Sequence, residues 1–220
     1  MIDLVVLVVS VALVDSLNPT TIVPALYLAT GPRAVSGILG FAGGVFVVNM
    51  LGGTVVLVLG HRLADLAWRP SQNSLHLGEL VLGLFAIAGS SVLWRRRDRV
   101  GALLARAESG MHRAAPIAGA SLAAVELPTA FPYFAVVAAV MTANQSLVAQ
   151  IMLLVLFNVV FLAPVIAIAV LRAVAGHRAV DLLTAARSLI LRHAGTLVAS
   201  LVLFFGIALV TLGIVGLVPR

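Results

Sequence analysis

Hydrophobic positions along the chain gather into six long runs, at about 3–30, 34–60, 78–94, 115–142, 146–171 and 195–218. Each is long enough to cross a hydrocarbon layer of roughly 30 Å, which takes about 20 residues of helix. The pattern predicts an all-α integral membrane protein of six transmembrane helices. Between the runs lie Gly31-Pro32-Arg33, the polar stretch 61–77, the basic segment 95–113, the turn Ala143-Asn144-Gln145 and the stretch 172–193. Two of these carry a helical pattern of their own. Val100, Leu103, Leu104, Ala107 and Met111 recur at helical spacing, as do Ala179, Leu182, Leu183, Ala186, Leu189 and Ile190. Both segments are expected to form amphipathic helices lying in the membrane interface.

Composition strengthens the membrane reading. Of the 220 residues, 62% are hydrophobic and 10% charged, with a mean hydropathy of +1.17. That is well above the roughly 45–50% apolar content of globular domains, and no soluble fold could hide such a surface. The opening Met-Ile-Asp lacks a basic stretch, and no small-residue cleavage pattern follows, so the first run is expected to be a span and not a removable leader.

The net charge of +6 comes from 14 basic residues, all arginine. Their placement points to orientation and away from nucleic acid. Segments after runs one, three and five hold eleven arginines, whereas the other side holds only Arg62, Arg69 and Arg220. The positive-inside rule then places both termini outside a cytoplasmic membrane. The absence of cysteine excludes thiol redox chemistry and thiolate metal sites.

Polar motifs interrupt two of the runs. The first contains Asp15-Ser16-Leu17-Asn18-Pro19-Thr20-Thr21 followed by Pro24 and Tyr27; the fourth contains Glu126-Leu127-Pro128-Thr129-Ala130-Phe131-Pro132-Tyr133. A carboxylate, a Pro-Thr pair, a second proline and a tyrosine appear in the same order. Asn49 follows Asp15 by 34 residues, and Asn158 follows Glu126 by 32. The chain thus reads as a single membrane domain, 1–220, with repeat one at 1–94, a basic cytoplasmic linker at 95–113 and repeat two at 114–220. Three is odd, so the second repeat is inverted relative to the first.

An unbroken helix over 3–30 would be about 42 Å long, more than the bilayer needs. Asn18 before Pro19 is a strong helix start, and proline lacks the N–H that would continue the preceding helix. Spans one and four are therefore expected to be pairs of half-helices breaking near Ser16–Pro19 and Glu126–Pro128. Interrupted backbone at membrane depth is tolerated only inside protein or along a water-filled cavity, and half-helix N-termini can bind anionic groups there.

Asp15 and Glu126 are the two carboxylates expected deep in the membrane, where an ionisable group is costly and so marks function. They are the candidate coupling pair for a proton or cation. Asn18, Asn49, Asn158, Tyr27 and Tyr133 are candidate cavity residues, with Thr20, Thr21 and Thr129 covering freed carbonyls. Helix–helix hydrogen bonding accounts for the two distal asparagines equally well. Close helix packing accounts for the glycines of the second run. The histidines make no metal-ligand spacing, and no catalytic triad or phosphate loop is present, so neither catalysis nor a metal or other cofactor is expected.

The motifs Asp15–Tyr27 and Glu126–Phe134 resemble the LysE superfamily of exporters, and most closely its GAP family of glycolipid- or sulfolipid-addressing proteins from actinobacteria. The resemblance spans the chain, and all-arginine, alanine- and valine-rich usage suits such a source. It implies two inverted three-helix repeats with broken first and fourth helices, and export of a lipid-linked or glycolipid cargo or its precursor. Expected partners are membrane lipids and a small-molecule or lipid-linked substrate, with the envelope lipid biosynthesis machinery and a second copy of the chain left open. The competing readings are a non-transporting scaffold of envelope lipid synthesis or export, a small-solute or cation exporter, and, more remotely, a membrane enzyme acting on lipid.

Overall fold

The first helix stops where Asn18 and Pro19 place a new helix start. In the computed structural model, which describes residues 2–65, 72–96, 111–127, 130–143 and 145–217, α1 (Ile2–Asp15) gives way to α2 (Pro19–Leu28) at a bend of 61°. The Asn18 side chain accepts from the Thr20 amide at 3.1 Å, and Pro19 occupies the first turn of α2, where a missing N–H costs nothing. Pro24 is accommodated inside α2.

Two long helices follow, α3 (Ala34–Asp65) and α4 (Gln72–Arg95). A second bent pair, α5 (Ala115–Glu126) and α6 (Phe131–Thr142), turns by 77° across the stretch that holds Leu127 and Ala130. Pro128 and Thr129 lie outside the described residues. α7 (Leu147–Phe161) and α8 (Ala163–Ala175) form a third bent pair, at 50°. Gly176, with φ of 55°, ends α8, and a short 3-10 turn leads into α9 (Ala179–Leu217). Among the described residues there are nine α-helices and no strand.

Three helices, α3, α4 and α9, are long and apolar enough to cross a bilayer singly, and each bent pair passes the same test as a unit. The outer surface agrees with burial in lipid. Leu51, Val55 and Ile117 stand 61%, 61% and 68% exposed, an arrangement that water would penalise and hydrocarbon does not. The protein is a membrane-embedded helical bundle.

Two sequence expectations need correction. The fifth run is not one straight helix: Pro164 sits in the first turn of α8, and its ring and missing N–H disrupt the ladder just after Leu162. The segment 179–190 is no separate interfacial helix either. It is the first third of α9, a continuous helix of 39 residues, because nothing between Ala179 and Leu217 stops propagation. The other expected interfacial helix, 100–111, falls outside the described residues save Met111, which is buried in a turn.

Two helix crossings dominate the packing, α3 with α5 and α4 with α9, and α9 also lies on α2. α3 crosses α5 backbone to backbone, with Gly44 against the Pro116 carbonyl and Gly119 against the Phe41 carbonyl. α1 packs on α7 and α6, and Phe41, Tyr133, Leu154 and Phe157 fill the centre. α4, by contrast, packs on α9 and has no other substantial helix neighbour among the described elements. A Cβ at Gly83 would meet the Val210 amide at 2.7 Å, and one at Gly213 would meet the His76 carbonyl at 2.8 Å. Ser90 Oγ donates to the Ala199 carbonyl at 2.7 Å, completing a tightly knit pair.

Candidate functional site

The breaks between α1 and α2 and between α5 and α6 meet at one cavity. At the first, the freed backbone is satisfied locally. Ser16 Oγ donates to Leu13 O at 2.7 Å, Thr21 Oγ1 to Asn18 O at 3.0 Å, and the Asn18 amide to Asp15 O at 3.1 Å. Each such group left unpaired at this depth would cost several kcal/mol. Asn18 Oδ1 accepts from both the amide and the hydroxyl of Thr20, the latter at 2.8 Å. The amides of Thr21 and Ile22 both turn to Asn18 O, at 3.3 Å.

A half-helix N-terminus offers an anion its free N–H groups, and at this break Asn18 has taken the donors of the first turn of α2. The second half-helix start, at Phe131, carries no side-chain cap and also lines the cavity.

The cavity holds about 430 Å³. On one side stand Asp15, Asn18, Thr20, Thr21, Asn49 and Glu126; on the other are apolar walls from α4 and α9, among them Phe85, Gly89, Leu93, Val202 and Phe205. Asp15 and Glu126 lie near enough for their charges to interact, and Thr20 hydrogen-bonds Glu126. A hydroxyl has one proton to give. If Thr20 gives it to Asn18 Oδ1, its bond to Glu126 requires the proton on the carboxyl side, so this chain of groups has two proton arrangements.

Pro132 and Tyr133 also line the cavity. The Tyr133 hydroxyl is committed elsewhere, donating to the Asn49 carbonyl at 2.6 Å across α3 and α6. Asp15, Asn18, Thr20, Asn49, Glu126, Pro132 and Tyr133 are thus brought together, and four other described candidates are not. Pro19 and Pro24 are buried within α2 and shape the backbone. Tyr27 sits eight residues beyond Pro19, about 12 Å along the helix, and packs against His112 in a tilted ring pair with centroids 4.5 Å apart while Arg187 lies over its face. Asn158 is fully buried and outside the cavity lining, its amide donating to Leu154 O at 2.9 Å and approaching Met50 Sδ, while its Oδ1 is buried without a hydrogen-bond partner.

Over residues 8–215 the sequence matches the model of the family described as Sap, sulfolipid-1-addressing protein. The chain belongs to this family. No curated protein and no solved structure matches it. The match covers both bent pairs that form the cavity and ends within α9, so the Sap-family region includes every residue of the site.

Sequence reasoning missed the apolar half of the cavity. Phe85, Gly89 and Leu93 on α4 and the facing side of α9 carry no signal that separates them from lipid-facing neighbours. It also missed the tie between His61 and Gln150, where the imidazole Nε2 donates to the buried amide oxygen at 2.9 Å and fastens the end of α3 to the start of α7. Among the described residues no group of three or more acidic or histidine side chains is placed to hold a metal ion.

Proposed function

We propose that this Sap-family protein is a secondary transporter of the LysE superfamily type, moving a lipid-linked or glycolipid-related cargo, or its precursor, across the cytoplasmic membrane. The observation that carries this reading is the convergence of two carboxylates, from two helix breaks far apart in sequence, on one cavity inside an apolar bundle. An ionisable group at membrane depth is costly, and two whose charges interact at one cavity make Asp15 and Glu126 the coupling pair for a proton or cation.

Six crossings arranged as two inverted three-helix repeats fit the packing. The first half of each broken pair lies on the middle span of the other repeat, α5 on α3 and α1 on α7, as a twofold axis in the membrane plane requires. Tyr27, His112, Arg172 and Arg187 gather at one end, with Arg172 Nε donating to Ala29 O at 2.9 Å, and His61 with Gln150 at the other. On this reading the arginine-rich end is cytoplasmic and both termini are outside.

The test is reconstitution of the purified chain in liposomes with an imposed proton gradient, following translocation of fluorescent glycolipid. Wild type moves it, and Asp15→Asn and Glu126→Gln each lower the gradient-dependent rate at least about tenfold while the protein remains folded. Gradient-dependent movement that survives both substitutions sinks the mechanism.

A further inference from the structure

Each end of the bundle carries a side-chain tie between the two halves of the chain, and the cavity lies between the ties. At the basic end, Arg172 Nε in the last turn of α8 donates to Ala29 O at 2.9 Å. Ala29 is the residue that ends α2, the second half of the first broken span. The last carbonyls of a helix have no partner within it, and here a basic side chain from the other half of the chain supplies one.

At the opposite end, His61 near the end of α3 donates from Nε2 to Gln150 Oε1 at 2.9 Å. The buried Gln150 passes the tie on, its amide nitrogen donating to Ala143 O at 3.4 Å and Gln145 O at 3.3 Å. Ala143 is the residue that ends α6, the second half of the other broken span.

The two ties are counterparts. Arg172 follows His61 by 111 residues, the interval that also separates Glu126 from Asp15. Each lies late in the middle span of its half, and each reaches, directly or through Gln150, the C-terminus of the broken span in the other half.

α3 gives the scale. It begins at Ala34, just past Ala29, and His61 lies 27 residues further on, about 40 Å along the axis. Asn49 lines the cavity and accepts from Tyr133 through its carbonyl; it stands 15 residues from Ala34 and 12 from His61, about 22 Å and 18 Å. Rocking one half against the other about this middle contact parts the elements at one end while pressing together those at the other.

We infer that Arg172 on Ala29 O and His61 on Gln150 are the two gates of the cavity, each broken when the cavity opens to its own side and remade when it opens to the other. The structure, with both formed, is the state between. The inference rests on the transport reading for its purpose and on the two ties and their spacing for its geometry.

The experiment uses the full chain with Val45→Cys on the α3 wall of the cavity as the single cysteine, in sealed vesicles of each orientation. The rate at which a membrane-impermeant maleimide labels this cysteine is measured from each face. Losing one neutral hydrogen bond shifts an equilibrium about fivefold, and losing one to a charged donor at least about tenfold. His61→Phe, which keeps a ring and loses the donor, is expected to raise labelling about fivefold from one face only. Arg172→Met is expected to raise it at least about tenfold from the opposite face only, and Arg172→Lys, which keeps a cationic donor, falls between Arg172→Met and wild type.

A rise from the same face in both variants, an equal rise from both faces in either, or no change in either overturns the gates. If Arg172→Met does not fold, His61→Phe decides alone by the same criterion of a rise from one face. Face-specific changes of access in a chain that moves no fluorescent glycolipid in liposomes would leave the gates standing and the transport reading fallen; transport with unchanged access in both variants would do the reverse.

Discussion

Gly43 and Gly44 are neighbours on α3, and replacing them by alanine is expected to act in opposite directions. A Cβ at Gly44 would run into the Pro116 carbonyl oxygen and lie 2.8 Å from the Ala120 amide, both backbone atoms of α5. A flexible side chain could turn away; a helix backbone moves only as a unit. Overpacking costs about 1–3 kcal/mol, and with backbone as the receiving surface the upper figure applies. Glycine to alanine in a helix returns about 1 kcal/mol, so Gly44→Ala is expected to destabilise by about 2 kcal/mol. A Cβ at Gly43 meets nothing within 4 Å, leaving only the helical gain of about 1 kcal/mol.

For a chain of this size the two figures correspond to a melting temperature roughly 4–8 °C lower for Gly44→Ala and roughly 2–4 °C higher for Gly43→Ala. Thermal unfolding in one detergent, followed by circular dichroism, reads both. A functional effect should accompany the first variant only, because α5 carries Glu126 and a forced displacement of α5 moves it relative to Thr20. Melting temperatures that rise together, or a larger loss at Gly43, would refute the α3–α5 crossing as described.

Three further outcomes follow from the same geometry. Asn18→Ala removes the acceptor for both Thr20 groups and is expected to cost about 2 kcal/mol, a cap and a hydrogen bond of roughly 1 kcal/mol each, whereas Asn18→Ser keeps a capping oxygen and recovers at least half by denaturant titration. Tyr133→Phe loses the bond to Asn49 O, with an expected destabilisation of about 1 kcal/mol in the same titration. Pro164→Ala should restore the ladder around Leu162 and straighten the 50° bend, read as a longer distance between spin labels on cysteines placed in α7 and α8, which the cysteine-free chain permits without background.

The parts of the fold that were legible in the sequence are those written by local chemistry. Asn18 before Pro19 is a helix start wherever it occurs, and a lone Asp15 or Glu126 in an apolar run is costly enough to imply a cavity. Tertiary choices left no such mark. Nothing in the apolar stretch around Gly89 distinguishes a cavity wall from a lipid face, since both want the same side chains. That α4 would pair with α9 depends on which glycines meet, Gly83 against Val210 and Gly213 against His76, and small residues are scattered through every span. Tyr27 and Tyr133 look equivalent in the motif, yet one ends beside His112 and the other at the cavity, because the distance from each to its helix break differs. The bend at Leu162 follows from Pro164, but that proline stands in a uniformly apolar run, with none of the polar residues that mark the breaks at Asn18 and Glu126.

The uninterrupted course of α9 has a mechanical consequence. Leu183 is buried near its start, where Arg187 lies over Tyr27, while Phe205 forms part of the cavity wall 22 residues further on, about 33 Å away. A stiff rod of that length acts as a lever: a tilt of about 5° at the arginine end sweeps Phe205 through about 3 Å, close to the thickness of a hydrocarbon chain. Because α4 is knit to α9 by its backbone, both walls would swing together, and a small force on the basic end would widen or narrow the chamber far from where it is applied.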